Sequence, residues 1–241
     1  MNISTANTIY PQSINFQGNK LTRINKSLSL RDIYSNPDPK EFIELRKIYN
    51  SLWEKLSLPE NLKPRLQYKA MLSEMGFSPK DYTIFVKKNT PPFKMNVRNK
   101  TGKNESFLRH EIEHVKQIWD IIRFLGVEGA TKEFKNSRVF DYDLSPNFIK
   151  KMKEIRKTLG PIEPNTKEAK NALQYIEAVR NYPDMESYNG VLSFKDLING
   201  IKYRNNTLEK NANLAEKNFR PSLFKTIKIT FKEFIKLLSN Q

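Results

Sequence analysis

The sequence predicts a mostly helical α+β fold in which a small sheet precedes one central helix and the second half is helical. Three observations predict it. A short β-branched and aromatic run, Tyr82–Val86, follows an alternating stretch at Leu66, Tyr68 and Ala70. The stretch from Phe107 to Arg123 is apolar over more than half of a helical circumference. Downstream, cap and proline signals recur ahead of segments of helical period.

In chain order, residues 1–27 are rich in Asn, Ser, Thr and Gln without a sustained period, and read as an N-terminal arm. Residues 28–241 read as one domain. Its first part, 28–126, holds a helix, the sheet and the central helix; 127–241 is the helical part. Asp38-Pro39 supplies a cap and a first-turn proline for a helix carrying Phe42, Leu45, Ile48, Tyr49, Leu52 and Leu56. Leu66, Tyr68 and Ala70 alternate with Arg65, Gln67 and Lys69, as a strand does. Gly76, Ser78 and Pro79 read as punctuation, and Tyr82–Val86 as the clearest strand. Phe93, Met95 and Val97 alternate with Lys94, Asn96 and Arg98, which predicts a further strand at a sheet edge. Asn104 or Ser106 is expected to cap the central helix and Gly126 to end it. Glu128 and Glu133 are expected in a loop beyond.

Ser145-Pro146, Thr166, Ser193 and Asn206 then read as successive helix starts. After Pro221 a last amphipathic segment sets Phe224, Ile227, Phe231, Phe234, Ile235 and Leu238 on one side, with lysines at 225, 228, 232 and 236. It reads as a terminal helix packed on the domain with its lysines in water; the same pattern also suits a membrane or partner surface.

The chain has 241 residues, no cysteine and a formal charge of +16. Without cysteine, disulfides and thiolate metal sites are excluded, so any metal must be held by His, Glu or Asp. The cationic excess is mostly lysine spread along the chain, with no arginine-rich or aromatic-interleaved tract, so nucleic acid is not expected as the primary partner. No secretory signal and no run long enough to span a membrane is visible, which gives a cytoplasmic default and leaves non-classical export open.

Both histidines of the chain fall in His110-Glu111-Ile112-Glu113-His114, an H-E-x-x-H pattern. Residues four apart share a helix face, so the two imidazoles can grip one metal ion. A glutamate beside the first can act as general base towards a water on that metal. Glu113 is expected on the outer face.

With the strand Tyr82–Val86 ahead of it, this helix resembles the motif helix of the zincin zinc metallopeptidases. The resemblance covers about residues 65–125. It implies a small twisted sheet packed on the motif helix, one Zn2+ ion, and a protein or peptide substrate. Gln117 stands where a metzincin would have the glycine that turns the chain under its metal, and Asp120 where its last histidine would be. The segment from Tyr203 to Ala215 resembles instead the ligand helix of the gluzincin branch. That likeness implies Glu209 as third ligand and Asn213, four residues on, as a hydrogen-bond partner of a ligand histidine. Asn206 and Glu209 also read as a capping box. Glu177, Glu168 and Asp120 are the alternative third ligands. On this reading Glu111 takes a proton from the water and returns it to the leaving amine, while Tyr203 is a candidate for oxyanion support. The competing expectations are a catalytically inactive zincin-like protein and a basic helical protein that binds nucleic acid or an anionic surface.

Overall fold

The computed structural model describes residues 40–69, 75–87, 92–140, 144–182 and 202–238. It is mostly helical with one three-stranded mixed sheet, an α+β architecture. The arm expected over 1–27, the Asp38-Pro39 cap and the helix expected after Ser193 lie outside the described residues.

Helix α1 (Lys40–Lys55) buries Phe42, Leu45, Tyr49, Leu52 and Trp53, the helical period read in the sequence. A short 3-10 turn, Glu60–Leu62, leads into the sheet. The Tyr49 hydroxyl donates to the Pro64 carbonyl (2.9 Å) and the Trp53 indole to that of Pro59 (3.2 Å), fastening this connection to α1. Strands β1 (Arg65–Lys69), β2 (Met75–Ser78) and β3 (Thr83–Lys87) follow. β3 is central, parallel to β1 and antiparallel to β2, with Phe77 opposite Ile84. Thr83, Ile84 and Val86 are all buried, which accounts for the unbroken β-branched run. The Gly76–Ser78 region is therefore a strand, although it reads as punctuation.

The strand expected over Phe93–Val97 is a helix, α2 (Pro92–Thr101). Pro92 is tolerated in a first turn, where its missing N–H has no intrahelical partner. Among its described side chains Met95, Arg98 and Thr101 are buried, three apart, and this spacing overrides the short alternation. An edge strand for substrate is thus absent from that segment.

The central helix α3 (Lys103–Lys135) is divided at Gly126. Its cap is Gly102 at φ 85°; Asn104 and Ser106 lie within the first turn and are buried. The Asn104 amide donates to Asn99 Oδ1 (2.6 Å), and the Ser106 hydroxyl to the Glu216 carbonyl (3.1 Å). Gly126, at φ 73° and ψ 176°, breaks the helical backbone where expected, but the chain resumes as helix at once, so Glu128 and Glu133 are helical and not in a loop. Glu133 pairs with Arg180.

α3 packs against α1, α2, β2 and three later helices: α4 (Pro146–Leu159), α5 (Lys167–Arg180) and α6 (Thr207–Lys217). The caps are as read: Ser145 accepts from Phe148 N–H, Thr166 from Ala169 N–H and Asn206 from Leu208 N–H. One core cluster runs from Phe42 on α1 to Leu208 on α6, with Leu108, Ile112, Val115, Ile118, Trp119, Ile121 and Ile122 of α3 within it. Trp119 meets Trp53 edge to face at 5.8 Å and donates to the Tyr82 hydroxyl (2.7 Å), so helix, sheet and α1 share one anchor.

The last helix, α7 (Leu223–Leu238), corrects another expectation. It docks on α2, but Phe224, Ile227, Phe231, Phe234 and Ile235 are exposed, and among its described side chains the buried one is Glu233.

Candidate metal centre

His110 and His114 sit on successive turns of α3, and α6 brings Glu209 to face them. The two Nε2 atoms are 3.2 Å apart. Each imidazole faces a different carboxylate oxygen, His110 Nε2 to Oε2 and His114 Nε2 to Oε1, both at 3.6 Å. At that distance neither is a good hydrogen bond. Among the described residues, these are the one group of three or more His, Asp or Glu side chains with converging ligand atoms, all within 4.8 Å of one another. His110, His114 and Glu209 could thus hold one ion, with two nitrogens and a carboxylate as donors.

The reason α6 delivers Glu209 lies in its helical phase. Leu208, Glu209 and Ala212 are its buried positions, and the small Ala212, fully buried, lets the two helices approach. Asn206 caps through Leu208 N–H and donates from Nδ2 to the Ala178 carbonyl (2.9 Å), which fixes the start of the helix on α5. Glu209 does not complete a capping box: its oxygens face the histidines and Tyr182, whose hydroxyl donates to Oε1 at 3.0 Å.

His114 is oriented from its own helix. Gln117 Nε2 donates to the Leu208 carbonyl (3.0 Å), so its Oε1 is left to accept, and it lies 2.9 Å from His114 Nδ1. Nδ1–H accordingly points to Gln117, and Nε2 faces the cluster, where a metal would have to displace any proton it carries. His110 Nδ1 is buried without a hydrogen bond; Glu216 Oε2 lies 3.5 Å away. Asn213, expected as the histidine's partner, is exposed. Four residues from Glu209 is about 40° round the helix towards solvent, whereas Glu216, seven residues on, returns to within about 20° of it. Glu216 is therefore the carboxylate beside His110, and it also pairs with Arg220 (2.9 Å).

Glu111 is 7% exposed and accepts from the Phe77 amide of β2 at 2.7 Å. Burial pushes its carboxyl up, against the pull of both imidazoles and the amide. The same histidines act on Glu209: burial alone would raise that carboxyl, but the facing imidazoles and Tyr203 hold it far below the usual range. In turn His114, which burial would lower, is raised to about 9 by Glu209, Glu111 and Gln117. Tyr203 stands edge-on to Tyr182 (centroids 5.9 Å), and burial together with the Glu209 charge pushes its phenol up. Its interactions are thus with the carboxylate ligand candidate.

The alternative third ligands lie elsewhere. Asp120 (3.4 Å) and Glu168 (3.3 Å) both pair with Arg123, and Glu177 is exposed. Three contributors were not anticipated. Gln117 was legible, being three residues beyond His114 on the same face. Glu216 could have been found from its seven-residue spacing. Tyr182 carried no signal, since only the tertiary packing of the segment ending α5 brings it to Glu209. No family model, no curated protein and no solved structure matches this chain.

Proposed function

We propose that the protein is a zinc-dependent peptidase of zincin type, gluzincin-like in its third ligand, with one ion held by His110, His114 and Glu209. The observation that carries this reading is the mutual spacing of the three donors. Ligand bonds of about 2.0–2.1 Å at tetrahedral angles put neighbouring donor atoms about 3.3 Å apart. Here the separations are 3.2, 3.6 and 3.6 Å. The packing of α3 against β2 also agrees with the layout that the zincin resemblance implies. When bound, the ion would supply Lewis acidity, polarising a peptide carbonyl and lowering the pKa of a coordinated water.

The side chains then divide the remaining work. Glu111, buried and raised, has the proton affinity to take a proton and hand it to a leaving amine. The Phe77 amide fixes its Oε2 and leaves Oε1 for this exchange. Gln117 keeps His114 in the tautomer whose Nε2 can ligate. Tyr182 and Tyr203 steady Glu209 against turning away.

The test is metal analysis of untagged protein purified with zinc. Wild type and Glu111→Gln should each carry one equivalent, whereas His114→Ala and Glu209→Ala should carry none. Glu111→Gln should lose hydrolysis of a peptide library that the wild type cleaves. Absence of metal from the wild type would end the proposal. Full metal in Glu209→Ala would remove the third ligand. Metal without hydrolysis would leave an inactive zincin-like protein.

A further inference from the structure

α7 is docked by its polar side. Glu233, 7% exposed, accepts from Asn96 Nδ2 (2.7 Å) and from Lys100 Nζ (2.5 Å), both on α2. Phe224 and Phe231, about 180° from Glu233 and near it in angle to each other, are 82% and 66% exposed. Leu223, Ile227, Phe234 and Ile235 extend the same outward stripe and are all exposed. Lys225, Lys228 and Lys232, also exposed, lie on one flank of it, about 40–100° round from Phe224. Among the described residues, no side chain of α7 joins the hydrophobic core. A continuous apolar stripe of this kind marks an interaction surface.

Charge decides what covers it. A second copy would bring a second set of flanking lysines, on a chain of formal charge +16, against the first. Residues 1–39 hold four basic and two acidic side chains, so they too are cationic. An anionic bilayer answers both features at once: headgroups meet the lysines, and the phenylalanines enter the acyl boundary. No helix among the described residues is long and apolar enough to cross a membrane, so the contact is interfacial.

We propose that α7 lies in the headgroup region of an anionic membrane and holds the protein there through Phe224, Phe231 and the Lys225–Lys228–Lys232 flank. The inference is independent of the metal centre. It is tested by co-flotation of the full chain with vesicles of phosphatidylcholine and phosphatidylserine at 3:1, and with pure phosphatidylcholine. Binding should be at least tenfold stronger to the anionic vesicles. Phe224→Ser/Phe231→Ser should abolish it with an unchanged melting curve, because both side chains are in solvent. Lys228→Gln should weaken it about fivefold, the effect of one cation near such a surface. No binding to anionic vesicles, or equal binding by the double serine variant, overturns the proposal. A wild-type dimer that the double variant disrupts, without vesicle binding, would assign the face to self-association instead. Vesicle binding that appears only after removal of residues 1–39 would assign it to that arm.

Discussion

Gln117 and Leu208 join the motif helix to the helix that carries Glu209: the amide nitrogen of one donates to the carbonyl of the other at 3.0 Å, inside the core. The same side chain receives His114 Nδ1–H. Gln117→Leu removes both bonds at nearly constant volume and strands a buried N–H and C=O. Chemical denaturation of the metal-free protein should show a loss of about 1–3 kcal/mol per orphaned group. Calorimetric zinc titration should show affinity lower by about 10–100-fold, the usual cost of losing a histidine's outer partner. Gln117→Glu, which restores an acceptor to His114 but not a donor to Leu208, should recover part of the affinity.

The protonation of His114 sets a second prediction. Its pKa is raised from 6.5 to about 9 in the metal-free fold. A group raised on folding contributes stability that is complete below its unfolded value and is lost as pH rises through its folded value. The metal-free protein should therefore lose on the order of 2 kcal/mol between pH 6.5 and pH 9. The Glu209 carboxyl, held low, contributes in the opposite sense: its share is present above about 4.5 and is lost on acidification. A metal ion must displace the His114 proton, so zinc affinity should rise up to about tenfold per pH unit until pH 9. Thermal melts with and without chelator, across pH 6 to 9.5, should show the two slopes running in opposite directions.

Much of this was readable in the chain. The caps at Ser145, Thr166 and Asn206 depend on a residue and its next three neighbours, so local chemistry sufficed. The convergence of His110 and His114 follows from a single helical turn. The approach of Glu209 to the histidines was reachable only by resemblance, since nothing in its own neighbourhood distinguishes a glutamate that faces them from a capping one. At α2 a short window supports two periods. Met95 and Val97 alternate as in a strand, but Met95, Arg98 and Thr101 repeat as in a helix, and only packing against α1, α3 and α7 decides between them. At α7 the ambiguity is different: the sequence locates the apolar face, yet amphipathicity does not say whether that face meets a core or something outside the fold.

Gly126 supplies a prediction about the scaffold. At φ 73° and ψ 176° it occupies backbone space that residues with a Cβ avoid. A Cβ built there meets nothing within 4 Å, so Gly126→Ala should cost only the backbone strain, about 1–3 kcal/mol by denaturation. If the helix instead straightened to relieve that strain, Phe134 and Ala130 would leave the core, and near-ultraviolet circular dichroism would change. Retained signal with a lowered midpoint is the expected result.

Asp120 separates burial from ligation. It is raised to about 6, chiefly by burial and despite Arg123 beside it. Because its folded value lies above 3.8, the contribution is complete below about pH 3.8 and is lost as pH passes through 6. At pH 7 the ionised carboxyl is therefore a burden on the fold. Asp120→Asn should stabilise by on the order of 1 kcal/mol at pH 7, less whatever the exposed edge of the Arg123 pair contributed, and by nothing at pH 4. Zinc content should not change, because Asp120 is turned to Arg123 and not to the histidines. Glu209→Gln should give the opposite pattern: it removes a carboxylate that both imidazoles favour, so the metal-free fold should lose stability at pH 7 and zinc should be lost with it. Measuring both variants by melting and by metal analysis distinguishes a carboxylate that the fold tolerates from one that the two histidines require.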